Sequence, residues 1–124
     1  SAEAKFELAK LWFLSKDHNI DIHDPELDEI FVLFQDSAFG GYAMAPGIVS
    51  QFFRAGIGTA QDVPFAYAWG KFARVREYCH GRDMYIEACK VAEPDEMQLG
   101  ERLFATLQRQ VPSYAIESVG QSEP

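Results

Sequence analysis

The sequence predicts an all-α fold, a compact single domain of five or six helices over residues 1–112, with residues 113–124 as a frayed C-terminal tail. Three observations predict it. Apolar residues recur every three or four positions through most of the chain, the period that lays one face of a helix on a core. Asp24-Pro25-Glu26, Asp62 with Pro64, and Pro94-Asp95-Glu96 each set acidic residues beside a proline as expected of a helix start. No run alternates apolar and polar residues with the period of a strand, and only residues 85–91 are ambiguous.

The first helix is expected over residues 2–16, where Phe6, Leu8, Leu11, Trp12, Phe13 and Leu14 supply the apolar side and Lys5 and Glu7 the wet one. Asp24-Pro25-Glu26 opens the second. Asp caps, Pro tolerates the first turn because its missing N–H has no partner there, and carboxylates favour the positive helix end. Leu27, Ile30, Phe31 and Phe34 then form its apolar stripe, and Gly40-Gly41 permits a left-handed stop. Residues 39–47 are glycine-rich but apolar, without the GxGxxG order or the preceding strand of a phosphate cradle.

A short helix over 46–55 carries Ile48, Val49, Phe52 and Phe53, and Gly56 and Gly58 close it. The longest helical pattern starts at Thr59 or Asp62 and runs to residue 79, with Phe65, Ala68, Trp69, Phe72, Val75 and Cys79 as its inner face. Gly81 is expected to break it and Asp83 to cap a short helix through Ala92. Pro94-Asp95-Glu96 opens the last helix, with Met97, Leu103, Phe104, Leu107 and Val111 as its stripe, and Pro112 ends it.

At 124 residues, 48% of them hydrophobic, the chain can bury a core without disulfides or metal. Charges interrupt every apolar run well short of the roughly 18 residues of a membrane span. The N-terminus lacks the basic start of a signal peptide, and Cys79 and Cys89 fit no CxxC-type signature. The expectation is a cytoplasmic protein with reduced thiols.

The net charge of −8 speaks against a nucleic-acid binder. It is unevenly spread, with residues 1–63 at −6, residues 64–92 at +2 and residues 93–124 at −4. Such polarity steers a charged partner. Within the basic segment Tyr67, Lys71, Arg74 and Tyr78 follow helical spacing opposite much of the Phe65, Trp69 and Phe72 face, a mixture of aromatic and basic groups suited to a protein partner. The leading expectation is therefore a small acidic, non-enzymatic protein-binding or regulatory domain that engages its partner through exposed faces of helices at 25–38 and 63–79.

Two other chemistries compete. The oxygen-rich segment at 15–26 resembles the calcium loop of an EF-hand: Ser15, Asp17, Asn19, Asp21 through its carbonyl, His23 and Glu26 fall at loop positions one, three, five, seven, nine and twelve. Ile22 takes the apolar eighth position. Ile20 stands where the family has Gly, and Ser15 where it has an acidic ligand; a register starting at Asp17 also matches in part but ends on Asp28 in place of Glu. The resemblance implies a calcium sensor or buffer; a capped acidic turn accounts for the same residues. His18 and His23 lie in that same loop. The second chemistry is a Cys–His site built from Cys79 and His80, with Glu87 as a further candidate, in a small enzyme or enzyme subunit. Residues 65–94 also resemble a tetratricopeptide unit at Phe72, Tyr85 and Ala88, with Trp69 where that pattern has a small residue. No second copy is present, so the segment reads as an ordinary helical hairpin.

Overall fold

A computed structural model describes residues 1–16 and 19–112; the expected C-terminal tail and the loop residues Asp17 and His18 lie outside the described residues. Six helices follow one another, α1 (Ala2–Leu14), α2 (Pro25–Phe39), α3 (Ala45–Ala55), α4 (Val63–Val75), α5 (Gly81–Val91) and α6 (Pro94–Gln110), and the described residues form no strand. The start signals do the work assigned to them. The Asp24 carboxylate accepts the Glu26 N–H at 2.9 Å, Asp62 accepts from Phe65 at 3.0 Å, and Glu96 reaches back to the Glu93 N–H at 2.9 Å.

Each helix packs on its neighbour in sequence from α1 to α5, and α6 returns to lie on α4. α4 is thus the hub, covered by α3, α5 and α6. A seam of rings joins the first four helices. Phe6 of α1 meets Phe34 of α2 edge-on at 5.4 Å, and Phe34 meets Phe52 of α3 at 5.4 Å. Phe53 then stacks on Phe65 of α4 at 5.1 Å, and Phe39 meets Trp69 at 5.1 Å. Burying the rings of Phe6, Phe34, Phe52 and Phe53 stabilises the fold by roughly 1.5–3 kcal/mol each. Two buried hydroxyls, which would cost stability if left unpaired, find backbone acceptors: Ser37 donates to the Ala2 carbonyl at 2.7 Å and Ser50 to that of Ala66 at 2.6 Å.

The structure corrects the end of the longest helix. α4 stops at Val75, so Cys79 is not on its inner face, and Val75 is 54% exposed. The stop is a Schellman motif: the Glu77 N–H donates to the Arg74 carbonyl at 3.0 Å and the Tyr78 N–H to that of Ala73 at 2.8 Å, with Glu77 left-handed at φ 58°. Tyr78 then packs its ring against Phe72, 6.1 Å away, the apolar contact that commonly accompanies this motif.

Gly81 does not break a helix; it is the first residue of α5, and His80 rather than Asp83 precedes the helix start. A Cβ at Gly81 would lie 2.5 Å from the Ala73 carbonyl carbon and the Arg74 nitrogen, so its bare backbone lets α5 press on the end of α4. The same pair approaches closely at Gly70, whose Cβ would meet the Tyr85 backbone at 3.0 Å. At this same C-terminal end of the hub, Arg76 lies over the Phe72 ring at 4.1 Å and donates to the Val111 and Pro112 carbonyls, tying the end of α6 to that of α4.

Candidate interaction surface

The stripe on α4 is mostly spent inside the molecule. Tyr67 is only 5% exposed, because α5 and α6 cover the side of α4 that a single-helix projection leaves free. Its hydroxyl donates to Glu101 of α6 at 2.6 Å and lies 3.3 Å from the Tyr85 hydroxyl of α5. Lys71 grips both oxygens of Glu101, at 2.5 and 2.7 Å, and sits 4.9 Å from the centre of the Phe104 ring. Lys71 first, and then Tyr67, hold the Glu101 carboxyl below its ordinary range; burial, with Glu101 and Tyr85, pushes the Tyr67 phenol well above its own. Tyr78 is half-buried, with a buried hydroxyl that has no hydrogen-bond partner among the described residues. Arg74 alone stays exposed, its guanidinium 5.2 Å from the centre of the Tyr85 ring. Tyr67, Lys71 and Arg74 tie α4 to α5 and α6, Tyr78 packs back on Phe72 from the turn after α4, and Arg74 presents the one exposed cation of the four.

The 15–26 loop is organised around a lysine. Lys16 donates to Asp24 at 2.8 Å and also bonds Glu26, the residue at the twelfth loop position. The hydrogen bond from Lys16, and next that from the Glu26 backbone, lower the Asp24 carboxyl, while both carboxylates raise Lys16. Ser15 donates its hydroxyl to the Trp12 carbonyl at 2.6 Å and ends α1. Asp21 accepts the His23 N–H at 2.9 Å in an Asx turn. Asn19 is exposed, Ile22 is exposed as well, and Asp17 lies outside the described residues. Among the described residues no three His, Cys, Asp or Glu side chains gather closely enough to hold a metal ion. In the other candidate region Cys79 is a half-buried free thiol, His80 is exposed at φ 63°, and Glu87 is paired with Lys90 at 3.2 Å.

The surface that the sequence reading missed is the outer side of α1. Phe6 and Ala9 face the core with Phe13 beside them, but Leu8, Leu11 and Leu14 are 55%, 65% and 69% exposed. α1 is therefore apolar on both sides, the composition of a helix covered all round, yet its main neighbour is α2 alone. The signal was present in the sequence: six large apolar residues in nine positions cannot share one face of a helix. Beside this ridge an apolar groove of about 390 Å³ runs between α1 and α2, lined by Trp12, Val32 and Leu33 and edged by Asp28 and Glu29. Val32 is 50% exposed in it.

Charge sharpens the groove. Lys5 lies 3.9 Å from Asp36, Lys10 lies 3.5 Å from Glu7, and Lys16 is held by Asp24 and Glu26. The lysines of this half are thus taken up locally, and Asp28 and Glu29 have no ion-pair partner among the described residues.

The sequence matches no protein-family model and no curated protein. Its helices superpose on a solved structure described as a protective antigen present in uropathogenic Escherichia coli strains and displaying an SLR fold, with a TM-score of 0.78 at 17% sequence identity. The match covers 100% of this chain and 26% of that one, so the chain spans about a quarter of the length of the protein it resembles. The likeness is one of fold, a helical-repeat arrangement. The tetratricopeptide-like spacing at 65–94 falls on the α4–α5 hairpin of that arrangement.

Proposed function

We propose that this chain is a non-enzymatic interaction domain that binds a protein partner across the outer face of α1 and the α1–α2 groove. The observation that carries this reading is α1 itself, apolar on two sides and covered on one. Exposing several large aliphatic side chains on one helix favours aggregation unless something covers them, and patches of this kind mark protein contacts. The helical-repeat likeness supports the same role, since such folds stack each helix pair against the next and offer extended surfaces to partners. Its place of work is the cytoplasm, where the two free thiols, Cys79 and Cys89, stay reduced.

The test is position-resolved photo-crosslinking in the cells the protein comes from. A photoreactive side chain at Leu11 gives a discrete protein adduct, whereas one at Gln108, exposed on α6, does not. Absence of an adduct from position 11, or the same adducts from both positions, would remove the α1 face as the binding surface.

A further inference from the structure

We infer that the occupant of the α1–α2 groove is a cationic amphipathic helix, whose apolar stripe lies against Trp12, Val32 and Leu33 and whose lysines or arginines meet Asp28 and Glu29. The inference rests on the interaction reading above and names the chemistry of the partner. A groove between two helices accepts a third as a row of anchors spaced i, i+3 or i+4, and i+7. Trp12 of α1 forms one wall; Val32 and Glu29, three apart on α2, form the other with Leu33.

The rim chooses among helices. Asp28 and Glu29 are exposed, carry two negative charges, and find no cation within the described part of the molecule. An acidic helix laid there would meet like charge at close range, which costs binding. A second copy docked two-fold on the same face is disfavoured for a related reason. It brings its own Asp28 and Glu29, while Lys5, Lys10 and Lys16 of both copies are already paired with carboxylates on their own chains.

The optical properties of the groove supply the readout. The chain has two tryptophans; Trp69 is fully buried, and Trp12 is half-buried in the groove wall. A helix that covers Trp12 shifts its emission to the blue while Trp69 stays constant, and Trp12→Phe abolishes the change.

The experiment titrates the full chain with three designed peptides of about 18 residues, long enough to hold a helix on binding, that share one leucine stripe and carry lysine, glutamine or glutamate elsewhere. The leucine–lysine peptide is expected to bind one to one and shift the Trp12 emission. The double variant D28K/E29K is expected to weaken it by about tenfold and to prefer the leucine–glutamate peptide. The matched variant D83K/D95K, with the same change of charge in the first turns of α5 and α6, is expected to bind like the wild type.

Equal binding of all three peptides would overturn the cationic assignment and leave the apolar interaction face standing. Equal weakening in D83K/D95K would overturn it too, reducing the effect to overall charge. No shift of Trp12 with any peptide would overturn the groove as a helix site, whereas the interaction reading falls only with the crosslink from position 11. Concentration-dependent dimerisation in sedimentation, lost in Leu11→Glu, would overturn the proposal in favour of a second copy. Leu11, Asp28, Glu29, Asp83 and Asp95 are exposed and Trp12→Phe keeps an aromatic ring at a half-buried position, so far-UV circular dichroism should report unchanged helicity throughout.

Discussion

Glu101 shows how one side chain on the last helix decides what the middle of the chain can do. Its carboxylate joins Lys71 and the buried Tyr67 hydroxyl, so a residue that looks solvent-facing in sequence closes the α4–α6 contact. Replacing Glu101 with Gln should cost about 1–2 kcal/mol at neutral pH, the range of a charge-assisted hydrogen bond discounted for partial exposure. Chemical denaturation checks this. The pH dependence follows from the direction of each shift. Glu101 titrates lower in the folded state, so its contribution is present above the ordinary carboxylate range, about 4.3, and disappears as pH falls through its folded value. Tyr67 titrates higher when folded, so its contribution is full below the ordinary phenol range, about 10, and is lost as pH rises beyond it. Glu101→Gln should therefore flatten part of the acid limb and Tyr67→Phe part of the alkaline one. None of this was legible from the α4 stripe alone. Helical spacing identifies which residues share a side, but Tyr67 and Glu101 are far apart in sequence, and only the return of α6 brings them together.

Two helix stops show where sequence reading succeeds and where it fails. α2 and α4 end in the same motif, with Gly41 left-handed at φ 93° in one and Glu77 at φ 58° in the other. The glycine is a recognisable stop because its missing Cβ makes that conformation inexpensive; a glutamate carries no such signal, and the helix reads straight through to residue 79. Glu77→Gly should then stabilise the protein by about 1 kcal/mol, the strain of a left-handed L-residue less the added entropy of the unfolded chain. A rise in Tm without a change in denaturant m-value would show it. The helix starts, by contrast, were legible at Asp24, Asp62 and Pro94, since a cap and a proline act within one turn and need no tertiary partner. The connection between α1 and α2 lies between these cases. Its oxygen-rich composition suits calcium, but whether those oxygens are available depends on where Lys16 points. With Lys16 on Asp24 and Glu26, a divalent cation must displace an ammonium already paired there. Melting in millimolar calcium is therefore expected to match melting in EDTA. A calcium-specific rise removed by Glu26→Gln would instead support the EF-hand reading, because a native-state ligand must stabilise by mass action.

At the scale of the whole molecule the all-α domain was legible, because periodicity and punctuation are properties of local sequence. The helical-repeat arrangement was not: successive helices stack without repeating a motif, and one tetratricopeptide-like spacing at 65–94 was too little to reveal it. That arrangement grades the molecule from hub to edge. α4 has helices on three sides, whereas α1 rests chiefly on α2. Native-state hydrogen exchange should be slowest in α4 around Trp69 and Phe72, and fastest among the helices in α1, which opens without disturbing the hub. Uniform protection across α1 and α4 would contradict the grading. The two-sided α1 has a further consequence. A helix that peels away first is also the one a partner would touch, so occupancy of its outer face would be felt along the entire row of helices as a brake on unzipping. The protein would then report its bound state through its lifetime against proteases, with no change of shape.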